Sequence, residues 1–421
     1  MSRSDSRNSG SGRTKRNSKA ADKHPASASS KSAGAGDARV QNASVVSGGK
    51  RQQGNNGRGQ LKLSALPQAS DFAGSARTSS DSGWKSALHR YVSLYNQAET
   101  EQHARVLTDF VTDEVHAERL MQRLDRIRER DLYRGALPAG SETKADIIRV
   151  NESTHEVSVL VKLHIKRRME QSGLYYMEER SEYERIWLTS EGRDWNVLQV
   201  EPIIAERRPR YGASVHQWLA EAEGESESSV YLAPSTPFLN YEVMPNFQNR
   251  TGTTRYRRDL AAAYADRWWN EGNSAYELFD VNCTNYVSQC IFAGNAPMNY
   301  TGKRGSGWWY KGRSKGQEWW SYSWAVSHAL NQYLSAARKS GLKAVTVQSA
   351  DELQLGDVIT YDWNGDGRFE HSTIVTAFDS SGQPLVNANT VASRHRYWDY
   401  RDSYAWTRNT RYRFFHIPDV L

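Results

Sequence analysis

Apolar and polar positions divide the chain into stretches of different period. Leu88, Tyr91, Val92 and Tyr95 fall at helical spacing, and Val106, Leu107, Phe110, Val111, Leu120, Leu124 and Ile127 continue a helical pattern. The period then changes to two. Val157, Val159, Val161, Leu163 and Ile165 alternate with Ser158, Lys162, His164 and Lys166, the mark of a half-buried strand. Asn151–Thr154 reads as a turn before it, and Glu191-Gly192-Arg193-Asp194 as a hairpin turn before Trp195-Asn196-Val197. Helices followed by long antiparallel strands predict a small α+β domain over 83–208, a curved sheet on helices. His155 and His164 fall on the polar face of their strand and are expected to be solvated.

A second set of elements begins near Tyr256. Helices are predicted at Arg257–Trp269, from Cys283 to about Gly294, and at Ser323–Ser340, where Arg338, Lys339 and Gly341 supply a stop. Strands follow at Ala344–Gln348, Asp357–Tyr361, Ser372–Phe378, Leu385–Asn389 and Tyr412–Ile417. The predicted fold class is therefore α+β throughout. A linker is expected over 209–255, with a short helix near Ser214–Ala222.

Composition adds one region that the pattern leaves blank. Residues 1–81 are rich in Ser, Gly, Ala, Lys and Arg, with too little apolar surface to offset ordering entropy, so a disordered basic tail is expected. Over 421 residues the formal net charge is +7. That balance suits an anionic polymer, which the tail could touch, and does not choose among polymers. Nucleic acid is not predicted as a partner. No stretch approaches the roughly 20 apolar residues of a membrane span. Met1–Arg16 carries positive charge without the apolar core of a signal peptide, so a cytoplasmic location is the default and the cell wall requires another route.

The two cysteines, Cys283 and Cys290, are seven residues apart on one helix. At ~1.5 Å per residue they lie roughly 10 Å apart, too far to bridge, so a disulfide scaffold is excluded. Cys283 falls in the first turn, where unpaired N–H groups and the helix dipole favour a thiolate. Tyr286, Val287, Cys290 and Ile291 extend an apolar stripe from it, with Thr284, Asn285, Ser288 and Gln289 facing away. Cys283 alone reads equally well as a nucleophile or as a small buried hydrophobe; Cys290, mid-stripe, reads as core. A base must come from elsewhere. His371, at the mouth of a strand, is the leading candidate. With the following turn centred on Ser380 or Ser381, Asn389 shares its face and could orient the imidazole, Asn387 being the fallback. A half-residue shift of that centre reverses the parity. His416 is the rival base, and His328, within a helix, reads as structural. Asp362–Gly367 resembles the start of a calcium loop, but Thr373 stands where glutamate is required, so a hairpin turn is expected. No metal or cofactor is predicted. The tryptophan pairs at 268–269, 308–309 and 319–320 could build core or stack on sugars, with Trp308-Trp309 placed to line a cleft.

Several stretches together resemble the amidase domain of endospore-forming bacteria that is related to NlpC-type papain-like cysteine peptidases. They are Arg257–Trp269, Asp280–Gln289 (DVNCTNYVSQ), Arg304–Trp309 (RGSGWW), Leu355–Tyr361 (LGDVITY), Asp366–Val375 (DGRFEHSTIV) and Leu385–Thr390 (LVNANT). The resemblance spans 256–421. It implies a papain-like fold, with Cys283 as nucleophile, His371 as base and Asn389 as third residue, where the family often has histidine. The implied activity is a cysteine amidase or peptidase that hydrolyses peptide or isopeptide bonds through an acyl-thioester, on a peptide or peptidoglycan-like substrate. A thiol acyltransferase and a catalytically inactive polymer-binding module are the alternatives. The Cys283 backbone N–H is the expected oxyanion donor.

Overall fold

The computed structural model describes residues 83–207 and 253–421, apart from 193, 315, 316 and 340. The basic tail and most of the linker, including its expected short helix, lie outside the described residues.

The first described segment folds as expected from its two periods. Helix α1 (Trp84–Glu101) buries Leu88, Tyr91 and Tyr95; α2 (Arg105–Thr108) is one turn; α3 (Glu114–Arg134) buries Leu120, Leu124 and Ile127. The Asp113 side chain caps α3 by accepting from the His116 N–H, and Gly135 ends it at φ +64°. Strands β1 (Ala136–Glu152), β2 (Glu156–Gln171), β3 (Leu174–Glu191) and β4 (Asp194–Pro202) follow as an antiparallel meander. The alternating apolar set of β2, from Val157 to Ile165, is buried against the helices. His155 is exposed, whereas His164 is half-buried with its ring 3.4 Å from the Glu179 carboxylate.

The second segment contains α4 (Arg258–Trp268), α5 (Cys283–Ala293), the hairpin β5 (Tyr310–Ser314)–β6 (Gln317–Trp320), α6 (Tyr322–Ala325), α7 (Ser327–Ser335) and β7 (Val345–Val347). Strands β8 (Val358–Asp362), β9 (His371–Phe378), β10 (Pro384–Ala388), β11 (Ser393–Tyr397) and β12 (Arg411–His416) complete it. The helix expected over Ser323–Ser340 is two pieces. Val326 is extended (φ −122°, ψ 123°), and α7 stops at Ser335 because Ala336 is extended too. The break lets the Ser327 hydroxyl donate to the His371 carbonyl, fastening the start of α7 to the sheet. The hairpin β5–β6 and strand β11 are additions to the predicted elements.

The two segments share one sheet, ordered β1-β2-β3-β11-β10-β9-β8-β12-β7, with β4 beside β3. The outer edge of β3 is divided: residues 184–191 pair with β4, while Glu179 and Arg180 pair with Arg394 and Ser393 of β11. The result is the expected α+β class, helices packed on antiparallel sheet.

Around β8–β12 the sheet has two different faces. Helices α4, α5 and α7 cover one, where Val287, Cys290 and Ile291 pack on Val358, Ile374 and Phe415. The opposite face carries Ile359, Tyr361, Trp363, Val375, Tyr400 and Phe414. Buried charges tie that side to the first segment. Arg396 pairs with Asp402 at 2.9 Å and Glu206 at 3.3 Å, Arg134 with Asp379 at 3.0 Å, and the Arg123 guanidinium donates to the Asp402 carbonyl.

Candidate active site

Cys283 is the first residue of α5, and only 1% of it is exposed. The start of this helix is held from several sides. The Thr390 hydroxyl accepts from the N–H groups of Asn282 (3.0 Å) and Cys283 (2.8 Å). Asn282 donates to Asn389 Oδ1 at 2.6 Å, and Asn389 donates to the carbonyls of Trp268 and Trp269 at the end of α4. The Cys283 N–H, expected as an open oxyanion donor, is thus engaged by the Thr390 hydroxyl in this structure.

The polar side of α5, expected to face away, is covered as well. Asn285, Ser288 and Gln289 are buried and matched one by one. Trp324 Nε1 donates to Asn285, Trp308 Nε1 to Ser288, and the Tyr264 hydroxyl to Gln289, at 2.8–3.0 Å. Those bonds offset the cost of burying three polar side chains. They also decide the fate of the tryptophans: Trp308 and Trp309 are fully buried core. Gly307 makes the RGSGWW approach possible, since at φ +75° a Cβ there would stand 2.1 Å from the Asn299 carbonyl oxygen. Cys290 is fully buried mid-helix, and burial pushes its thiol pKa well above the ordinary value, as befits core.

A cavity of about 750 Å³ opens beside Cys283. Thr284, Ser327, His328, Asp366, Phe369 and Glu370 line it. Short contacts cross its floor: Cys283 Sγ to Thr284 Oγ1 at 3.7 Å, Thr284 Oγ1 to Ser372 Oγ at 3.3 Å, and Ser372 Oγ to Ser327 Oγ at 2.8 Å.

His371 is not on that side. In the β8–β9 register it faces Tyr361, and Ser372 faces Thr360. Ser372 points to the helices, so alternation sends the His371 side chain to the opposite face. Its ring lies 5.5 Å from Tyr361, 5.8 Å from Trp363 and 5.3 Å from Tyr400, centroid to centroid. Neither ring nitrogen has a hydrogen-bond partner. Burial, reinforced by the Arg396 charge, pushes its pKa down to about 3. Asn389 is brought to the Cys283 helix rather than to His371. A bulge in the β9–β10 pairing between Leu385 and Val386 shifts the register, so Asn387 faces Ile374 on the helix side. Asn387 accepts from Thr376 and donates to Asp266. The structure therefore places Cys283 and Asn389 in one neighbourhood and His371 on the other side of the sheet. This corrects the expected pairing of His371 with Cys283 and Asn389.

The remaining candidates resolve simply. His416 Nδ1 lies 2.8 Å from the Asp357 carboxylate, in a pair that also holds Arg258. The Asp362 carboxylate accepts from the N–H groups of Gly365, Asp366 and Gly367 at 2.8–3.2 Å, which closes a turn and turns the carboxylate away from a calcium role. Among the described residues, no three His, Cys, Asp or Glu side chains converge as a metal site. Sequence reasoning read His328 as structural and passed over Thr390. Only the LVNANT stretch carried a hint of the second.

Three comparisons bear on this geometry. The Bacillus subtilis (strain 168) "Uncharacterized protein YhbB" is 55% identical over 165 residues, 39% of this chain and 51% of its own length. "Uncharacterized protein YjcM" from the same organism is 30% identical over 171 residues, 37% of each chain. The chain thus spans about half the length of the first curated relative and less of the second. A solved structure, the intermembrane space region of the chloroplast protein ARC6, aligns over 28% of this chain and 93% of its own at 8% identity and a TM-score of 0.21, too slight a likeness to carry an argument. Residues 255–415 match the family model described as "Putative amidase domain".

Proposed function

We propose that the C-terminal part of the chain is a cysteine amidase with Cys283 as its nucleophile. The family match supports an amidase, a hydrolase of carbon–nitrogen bonds. The observation that carries the choice of nucleophile is Cys283 at the first position of a rigidly held helix, beside a cavity of about 750 Å³. Cys290, the other thiol, is sealed in the core. In this reading the Cys283 sulfur attacks an amide carbonyl carbon as its proton passes to a base. The C–N bond breaks, the amine leaves with that proton, and water hydrolyses the acyl-thioester. The substrate class is a peptide or isopeptide amide, with peptidoglycan-like peptides first among those to test.

Iodoacetamide at pH 6 is expected to label Cys283 in preference to Cys290. Cys283→Ala is expected to abolish release of amine from peptide and peptidoglycan-fragment substrates. Unchanged turnover by Cys283→Ala sinks the reading. Transfer of the acyl group to an added amine in preference to water would instead identify a thiol acyltransferase.

A further inference from the structure

We infer that His328, oriented by Gln332, is the group that exchanges protons with Cys283. This inference rests on the assignment of Cys283 as nucleophile. The argument starts from the cavity. His328 is the imidazole among the lining side chains; the other titratable groups there are Tyr322, Asp366, Arg368 and Glu370. Asp366 accepts from the Arg368 N–H, which leaves it serving a turn. Burial raises the pKa of the Glu370 carboxyl, and one of its oxygens has no partner. Glu370 is therefore the rival acceptor, but it takes no part in the hydroxyl contacts that lead from the sulfur. The chain of hydroxyl contacts from Cys283 Sγ through Thr284 and Ser372 reaches Ser327, which donates to the His371 carbonyl and begins the helix that carries His328.

Hydrogen bonding fixes the tautomer. The Phe369 N–H donates to His328 Nδ1 at 3.4 Å, and the Gln332 side-chain amide lies 2.9 Å from Nε2. A neutral imidazole accepts at one nitrogen and donates at the other. With Nδ1 accepting, Nε2 carries the proton and Gln332 must present its oxygen. Gln332, one turn along α7, is thus the positioning residue that a catalytic imidazole needs on its far side. The Phe369 bond is long against the usual 2.9–3.0 Å, so the Nδ1 lone pair is open to a stronger donor.

The proton balance follows. The S–H bond breaks and Nδ1 takes the proton while sulfur bonds the carbonyl carbon. The imidazolium gives that proton to the departing amine. A proton from water then goes to Nδ1 as hydroxide adds to the thioester, and it returns to sulfur when the acid leaves.

The test measures Cys283 alkylation by iodoacetamide from pH 5 to 9, together with turnover, in the full chain. For His328→Gln, turnover falls 10²–10⁴-fold, and alkylation at pH 6 drops at least tenfold while that at pH 9 is kept. Gln332→Ala shifts the same profile in the same direction by less, and Gln332→Glu restores it. The proposal is overturned if His328→Gln keeps its alkylation profile, or if His371→Phe removes the pH 6 reactivity while His328→Gln retains it. Because alkylation needs no substrate, these outcomes stand apart from the amidase reading, which fails on its own if Cys283→Ala retains turnover.

Discussion

Ser372 and His371 are adjacent in the chain and sit on opposite sides of one strand. Ser372 meets Thr284 and Ser327 under the Cys283 cavity, among small hydroxyls with open space beside them. His371 meets Tyr361, Trp363 and Tyr400, and Arg396 with its carboxylate partners closes that side. One face has a cavity lined by a thiol, small hydroxyls and an imidazole. The other is filled, with two imidazole nitrogens unpaired in it. Membership in a motif places a residue on a strand, but the two-residue period decides what it touches.

The largest break in this comparison removes the first segment. A fragment spanning 253–421 would bare the β11 edge and strip Asp379, Asp399 and Asp402 of Arg134, Arg130, Arg123 and Arg180. It is expected to aggregate or stay unfolded by circular dichroism and size exclusion. A cooperative, monomeric fragment would show that the two faces are independent. Next in size is Asp402→Ala. Burial opposes ionisation of Asp402, but Arg396, Arg180, Arg130 and Arg123 outweigh it and hold its pKa below the usual carboxylate range. Its loss leaves Arg396 buried with Glu206 as its remaining carboxylate, and removing one partner of such a cluster costs ~3–5 kcal/mol. The urea midpoint measures this.

Much of this architecture could be read in advance. The alternation of β2 and the 3–4 spacing of α1 and α3 were legible because each has one wet side. The helix at Cys283 was legible in place but not in environment. Asn285, Ser288 and Gln289 signal solvent by type, and only the tertiary arrival of Trp308, Trp324 and Tyr264 reverses that. The face of His371 was illegible for a sharper reason. It hung on a hairpin register, and one bulge at Leu385/Val386 shifts that register by a residue. The division of the β3 edge between β4 and β11 joins residues more than 200 apart, beyond any periodicity. His328 read as structural because its helical spacing resembles that of any structural histidine; only the fold shows that it lines the cavity beside Cys283.

A third test separates the faces by acid. His371 is neutral in the fold, with its pKa pushed to about 3, whereas an unfolded histidine titrates near 6.5. The unfolded state therefore binds the extra proton in that window. Stability from this residue is fully present above pH ~6.5 and is lost as pH falls toward 3, on the order of a few kcal/mol at the acid end. His371→Phe keeps the ring packing and removes the titration, so it should flatten the acid limb of the urea midpoint against pH. An unchanged limb would mean that the imidazole reaches solvent or a partner. Turnover that survives in His371→Phe, with the fold intact, sharpens the assignment of proton transfer to the Cys283 side.

The smallest effect belongs to Thr390, whose hydroxyl accepts from two N–H groups at the start of α5. Thr390→Val keeps the shape and leaves the Asn282 and Cys283 donors without that acceptor, at a cost of about 1–3 kcal/mol. Thr390→Ser keeps the hydroxyl and should recover most of it, as read by the denaturation midpoint. The pair of variants also asks what the engaged Cys283 N–H contributes to chemistry. If Thr390 only secures the helix, turnover measured well below the melting temperature is the same in Val and Ser variants. If releasing that N–H supplies a donor to the developing oxyanion, Thr390→Val turns over faster than Thr390→Ser despite being less stable. That would put Thr390 in competition with the substrate for the same proton.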